Sequence, residues 1–377
     1  MSRQELSNFK FLKSTIREYY SKRKLEEPPY LHKREIALQS LEDGVYIRHL
    51  SFPSMTKLYE FILSKKTPLH LYYSSAYYEN PANDRMELKG WLGSDLLFDI
   101  DSDKYSGCND VISICITDNY VVEGDIGQCP SGDKPVKYPV VKAKCIEYAY
   151  SDAVKLYYIL RDELGLRDIK IYFSGNRGFH VKVSDDTILD LSSDERREIT
   201  SYVLLESISS ERLFPPLGSK KKYALVAING EIGIRARIAK LAKEAKLGYG
   251  TIAEYVKIPY EELRVLIEEA RVRIDPVVTM DPSRLSRFSF SLNCKSGLLV
   301  KPVNIDDLYE FSFTDYTPWE GQIIVRGLID ASLPVLDSKV ILKRSESISL
   351  EAHIAYYLIL KNLVKVISTR DFGVRNV

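Results

Sequence analysis

The amino-acid sequence predicts an α+β (mixed α/β) fold, a mixed sheet flanked by helices. Three stretches carry that expectation. In Leu96-Leu97-Phe98-Asp99-Ile100-Asp101, the apolar Leu96, Phe98 and Ile100 alternate with Leu97, Asp99 and Asp101, the period-two pattern of a strand. Ala153, Leu156, Tyr157, Leu160 and Leu164 recur at helical spacing behind Ser151 and stop at Gly165, which predicts a helix over 151–164. Two strands, 168–173 and 181–183, flank the loop Ser174-Gly175-Asn176-Arg177-Gly178-Phe179-His180.

The chain has 377 residues, of which 45% are hydrophobic and 28% charged, enough for a sizeable core with insertions. Net charge is +1, so a polyanionic partner must be met by local basic clusters and not by bulk charge. The start, Met1 to Lys13, carries no apolar stretch of the kind a signal peptide needs, and no run approaches the length of a membrane span. An intracellular protein with no membrane partner is the expectation.

In chain order, Phe9–Tyr20 has helical spacing. Strands at 36–38 and 45–50 flank a Glu42-Asp43-Gly44 turn. After the acidic strand, 104–146 has little apolar periodicity and holds four of the five cysteines, Cys108, Cys115, Cys129 and Cys145. In an intracellular chain such a cluster reads as metal ligands, and a zinc ion would supply the folding energy the segment lacks. The spacings are looser than a C-x2-C knuckle, and Asp118, Asp125 and Asp133 are alternative ligands. Region 190–270 reads as a mostly helical insertion. It opens on a Ser192/Glu195 capping box and continues through Pro215-Pro216, the Lys220-Lys221-Lys222 run, and helices at 234–247 and 259–270 around Gly248 and Gly250. Val272–Asp275 returns to a strand pattern, 286–300 reads as a hairpin around Lys295-Ser296-Gly297, and 349–367 closes the chain as a long amphipathic helix.

The chemistry concentrates in a few places. Asp99 and Asp101, two apart on a strand, project from one face, and like charges so close call for a cation or a proton between them. Magnesium suits such oxygen ligands and is commonly shared with substrate phosphates. Asp275 would complete the site if it lay beside them. The 174–180 loop offers backbone N–H groups, two glycines, and Ser174, Arg177 and His180 to an anion such as a triphosphate. Arg287, Asn293 and Lys295 share a strand face that can meet phosphate, ribose or template, and Arg48 is a candidate beside it or a salt-bridging side chain.

Taken in order, Tyr-Ile-Arg at 46–48, Phe-Asp-Ile-Asp at 98–101, Ser-Gly-Asn-Arg-Gly-Phe-His at 174–180, Arg-Ile-Asp at 273–275 and Lys-Ser-Gly at 295–297 resemble the small (catalytic) subunit of the archaeal and eukaryotic DNA primase over nearly the whole chain. The resemblance implies a primase catalytic core over 1–377, with a zinc-binding module (104–146) and a helical subdomain (190–270) inserted in it. It implies template-directed primer synthesis on single-stranded DNA from nucleoside triphosphates, beside a large subunit, in the cytoplasm if the source is archaeal. Asp99, Asp101 and Asp275 match the carboxylates that hold two magnesium or manganese ions. Ser174, Arg177 and His180 match the triphosphate loop, and Arg48, Arg287 and Lys295 the basic residues of the nucleotide site. Cys108, Cys115, Cys129 and Cys145 sit where the family carries zinc. Asn293 stands where many members have histidine, and Asn176 replaces an arginine seen in some. Two rivals are a haloacid-dehalogenase-like phosphatase with Asp99 as nucleophile, and a non-catalytic, zinc-containing nucleic-acid-binding subunit.

Overall fold

The acidic strand Leu96–Asp101 lies at the edge of an antiparallel sheet, ordered Lys301–Val303, Ile169–Phe173, Gly178–Val183, Leu96–Asp101. The computed structural model describes residues 3–206, 208–214, 216–217, 222–227, 229–247, 251–252, 254–305 and 310–375. Within the sheet, Leu96, Phe98 and Ile100 stand opposite Val183, Val181 and Phe179. All six are fully buried. The same register sets Asp99 opposite His180 and Asp101 opposite Gly178, so the alternation read from the sequence sorts core from chemistry.

The helix Ala143–Tyr158 covers the apolar face with Ile146, Ala149, Ala153 and Leu156, and its Tyr150 ring lies 5.5 Å from Phe179. It starts before the predicted boundary. Ser151 is therefore no cap: its hydroxyl donates to Glu147 O at 3.0 Å inside the helix. A second antiparallel sheet runs Leu285–Arg287, Pro68–Ser74, Ile36–Ser40, Tyr46–Leu50. The Asp95 N–H donates to Ser75 O at 3.0 Å and ties the two sheets together just before the acidic strand.

Buried charges close this junction. Arg34, fully buried, meets Asp95 at 2.8 Å, and its guanidinium stacks 3.9 Å from the Tyr77 ring. Lys89 meets Glu35 at 2.7 Å with both side chains out of solvent. Breaking either pair by removing one partner would leave an uncompensated buried charge.

Three regions differ from expectation. Val272–Asp275 is extended but joins no strand. Its N–H groups go to Val203 O, to the Asp152 carboxylate and, from Asp275, to Asp99 O, and Pro276 then opens the short helix Pro276–Met280. The region 349–367 is not one helix. It splits into the strand Ser347–Glu351, the helix Ala352–Leu360 and the strand Val364–Val374, the strands pairing on either side of Trp319–Gly327. The helix is buried from Ala352 to Ile359, so it has no polar face, and the β-branched run after Asn362 continues as sheet. The insertion carries its capping box and helices Ser193–Leu204, Gly233–Glu244 and Tyr260–Ala270. It also has a small sheet that includes Tyr223–Ala227 and Tyr255–Pro259, and a hydrophobic cluster of its own around Phe214, Ile238, Leu263 and Leu266. Pro215, Lys220, Lys221, Gly248 and Gly250 lie outside the described residues.

The cysteine segment corrects the sequence reading most clearly. It contains a small antiparallel sheet (Val111–Cys115 between Tyr120–Glu123 and Val136–Pro139), and its thiols pair as Cys108–Cys145 and Cys115–Cys129. Both pairs have Cα atoms 5.7 Å apart, within disulfide reach. Cys108, Cys115, Cys129 and Cys145 therefore do not converge as one zinc set. Oxidised sulfurs are no thiolate ligands, and the cross-links take over the stabilisation that zinc was expected to supply. Asp118 does approach Cys115 and Cys129, while Asp125 pairs with Lys137 and Asp133 accepts from Thr117. Loops of 14 and 37 residues closed this way are worth about 3–4 kcal/mol each. Alkylation of the denatured, unreduced protein is expected to label Cys294 alone, and full reduction to lower the melting temperature markedly. Five labelled thiols with stoichiometric zinc would reverse this assignment.

Candidate active site

The three acids come from two elements. Asp99 and Asp101 lie on the outer face of the edge strand. Asp275 is delivered by the extended segment beside it, locked by its own N–H donating to Asp99 O at 2.8 Å. The Asp275 carboxylate caps the following helix through Val277 N–H at 3.0 Å, with Pro276 in the first turn. One oxygen is thus engaged and the side chain is held in place.

Electrostatics mark this cluster. Burial, then the charges of Asp101 and Asp275, push the Asp99 carboxyl up to about 7. Burial also raises Asp101, against the pull of Arg177. His180 faces Asp99 with Nε2 3.6 Å from Oδ1, and burial holds its ring neutral, down to about 3. Its buried Nδ1 has no hydrogen-bond partner among the described residues. Among the described residues, the tight grouping of possible ligand atoms, all within 4.8 Å of one another, is Cys115, Asp118 and Cys129, not the three aspartates.

The Ser174–His180 loop is clamped from below. Gly175 has φ +74°, and a side chain there would meet Asn293 Cβ at 2.9 Å. Asn293 Nδ2 donates to Ser174 O at 2.9 Å, Ser296 Oγ donates to Gly175 O, and Asn293 Oδ1 accepts the Lys295 N–H at 3.1 Å. Asn293 is buried and serves as the bolt between loop and turn, instead of facing a nucleotide as its position suggested. Gly178 permits the close approach to the acidic strand, since a Cβ there would lie 2.2 Å from Ile100 O.

Basic groups ring the acids. Arg177 meets Asp103 at 2.6 Å and remains partly exposed. Lys295 is exposed at the turn. Arg287 is buried, its guanidinium 3.1 Å from His70 and 4.8 Å from the Tyr72 ring centre. Arg48 gives its Nε to Glu35 at 2.8 Å, so the salt bridge and a place beside the site coexist. The Tyr46 ring packs edge-on to Tyr72.

One further cation was not singled out from the sequence. Lys361 follows the buried helix Ala352–Leu360, which packs against the Lys295 turn: a side chain on Gly297 would strike Tyr356 and Leu360. Burial, then Lys295 and Arg177, push Lys361 down to about 8. Nothing local marks it. It gains its neighbours only from the docking of that helix.

The fold and this arrangement define a mixed α/β enzyme equipped for phosphate chemistry. A family model described as DNA primase small subunit matches residues 98–305. The DNA primase small subunit PriS of Staphylothermus marinus is 55% identical over 379 residues, covering 100% of both chains. That of Sulfurisphaera tokodaii is 35% identical over 360 residues, covering 95% of this chain and 96% of its own. That of Saccharolobus solfataricus is 35% identical over 365 residues, with 94% of each covered. Among solved structures, the polymerase domain from Mycobacterium tuberculosis Ligase D in complex with DNA aligns with a TM-score of 0.37 and 14% identity, covering 84% of this chain and 91% of that one. The chain belongs to the DNA primase small subunit family. It is a nucleotidyltransferase of DNA replication, and the phosphatase and non-catalytic readings fall away.

Two outcomes follow from the geometry. Gly178→Ala is expected to cost about 3 kcal/mol or more of stability, because the contact it creates is with backbone; denaturant unfolding reads this. A carboxyl raised in the folded state binds more protons than in the unfolded chain. Asp99 therefore subtracts stability as pH rises from about 4 through about 7, and a cation held there would have to displace its proton. Calorimetric Mn2+ affinity is expected to be about tenfold weaker at pH 6 than at pH 8. A pH-independent affinity would contradict the assignment.

Proposed function

We propose that this chain synthesises primers on a single-stranded DNA template by two-metal nucleotidyl transfer, with Asp99, Asp101 and Asp275 holding two Mg2+ or Mn2+ ions. The observation that supports it most is the meeting of three acids, two of them raised by burial and one delivered from far along the chain, near Arg287, which among the described residues has no carboxylate within ion-pairing distance. Such a donor set fits hard divalent ions. Bound there, the ions would lower the pKa of the attacking 3′-hydroxyl and neutralise the departing pyrophosphate.

The protein's own groups then orient and bind. Ser174, Arg177 and the backbone of the loop take the triphosphate, with Lys295, Arg287 and Lys361 adding charge around it and Arg48 at the rim. Neutral His180 offers a hydrogen bond without adding charge beside the ions. No protein nucleophile is needed, since positioning and charge stabilisation suffice. We read 104–146 and 190–270 as insertions in one catalytic core, the first cross-linked by disulfides. The small subunit of such an enzyme works with a large subunit, on nucleoside triphosphates, inside the cell. Among the described residues no helix is long and apolar enough to cross a membrane.

De novo synthesis on single-stranded DNA with labelled nucleotides tests the reading. Asp101→Asn is expected to lower synthesis by about 10³-fold or more with an unchanged circular dichroism spectrum. Near-normal synthesis by that variant would overturn the two-metal assignment.

A further inference from the structure

Arg287 is a buried cation whose side chain is held by an imidazole. Of the other deeply buried cations, Arg34 and Lys89 are closed by Asp95 and Glu35 at 2.8 and 2.7 Å, Arg196 donates to the carbonyls of Leu191, Ser94 and Asp95, and Lys182 donates to the Tyr73 hydroxyl and to Arg287 O. Among the described residues, Arg287 has no carboxylate within ion-pairing distance, although only 8% of it is exposed. Its polar partner is His70, on the neighbouring strand.

The register explains the contact. Arg287 stands directly opposite Tyr72 on Pro68–Ser74, and His70 lies two residues along on the same face. The side chain crosses the Tyr72 ring, with 4.8 Å from guanidinium carbon to ring centre, and brings Nη1 to 3.1 Å from His70 Nδ1. A guanidinium does not give up its proton, so Nδ1 must be the acceptor and the imidazole carries its hydrogen on Nε2. Burial, then Arg287 and Lys295, push the ring down to about 2, so it stays neutral across the working range. A carboxylate at position 70 would fix Arg287 equally well but would quench its charge. A neutral acceptor fixes the fork and leaves the positive charge for an anion brought by a ligand.

We propose that His70 is a positioning residue for nucleotide binding: its unprotonated ring nitrogen holds the Arg287 guanidinium in the orientation that receives the triphosphate. This rests on the reading of Arg287 as a nucleotide-binding residue.

The test is steady-state primer extension on single-stranded DNA, with KM for nucleoside triphosphate and kcat measured separately. The enzymes compared are wild type, His70→Leu, His70→Asn, Arg287→Ala and the double variant His70→Leu/Arg287→Ala. Leucine keeps volume and removes the acceptor, whereas asparagine places an oxygen close to where Nδ1 sits. Melting curves check folding, and His70→Met replaces leucine if that variant does not fold. The expected result is a KM about tenfold higher for His70→Leu with kcat within about twofold, recovery to within about threefold of wild type in His70→Asn, and no added effect of His70→Leu in the Arg287→Ala background. An unchanged KM in His70→Leu while Arg287→Ala is impaired would overturn this inference alone. So would an asparagine variant as poor as leucine, or a histidine effect undiminished without Arg287. Wild-type kinetics in Arg287→Ala would instead overturn the underlying reading of Arg287, and the inference with it.

Discussion

The site depends on one pairing, the antiparallel register between Leu96–Asp101 and Gly178–Val183. It places Ile100 against Phe179 and Phe98 against Val181 in the core, and by the same alternation sets Asp99 against His180 on the opposite face. A slip of one residue would send the acids inward and the core outward, so the hydrophobic interior enforces the geometry of the chemistry. Gly178 makes the pairing possible at its most crowded point. Asp275 is attached to the result by a backbone bond to Asp99 rather than by a strand of its own.

Around that pairing the protein uses buried charge in two ways. At the sheet junction the pairs Arg34–Asp95 and Lys89–Glu35 are closed, structural devices. At the site two groups are left without an opposite charge of their own. Acids crowd with acids until Asp99 is raised to about 7, and Arg287 is buried against neutral His70. Separation of this kind has a stability cost that the surrounding core must offset. Its persistence within a well-packed interior is what distinguishes binding machinery from scaffold.

The features legible in the sequence are those whose signal is local. The alternation of Leu96–Asp101 and the Ser192/Glu195 box each encode their structure within a few residues, and each formed as read, whereas the loop read over Ser174–His180 is shorter, its strand starting already at Gly178. What was not legible depends on partners distant in the chain. Cysteine spacing says which residues are candidates for cross-linking or metal but not which sulfurs meet, and Cys108 meets Cys145 only because the intervening small sheet brings them together. The run after Ser349 has helical spacing, yet its ends are captured as strands by Trp319–Gly327. Asn293 looked like a ligand because its strand neighbours are basic; the loop carbonyl that claims its amide lies 119 residues away. His70 sits in an ordinary apolar alternation, and only the arrival of Arg287 from the far end of the sequence gives it a task.

These separated charges also bear on how ligands enter. On the two-metal reading, divalent ions alone would relieve the repulsion among Asp99, Asp101 and Asp275 but leave Lys295, Arg287 and Lys361 without an anion. A bare triphosphate relieves the cations but is repelled by the acids. A metal–nucleotide complex would satisfy both halves at once, its ions held by Asp99, Asp101 and Asp275 and its phosphates met by the basic groups. Each ligand therefore strengthens the binding of the other, and this coupling is reciprocal by linkage. The favourable energy comes from removing two uncompensated fields that the empty fold already sustains, so the affinity is built into the scaffold before any ligand arrives.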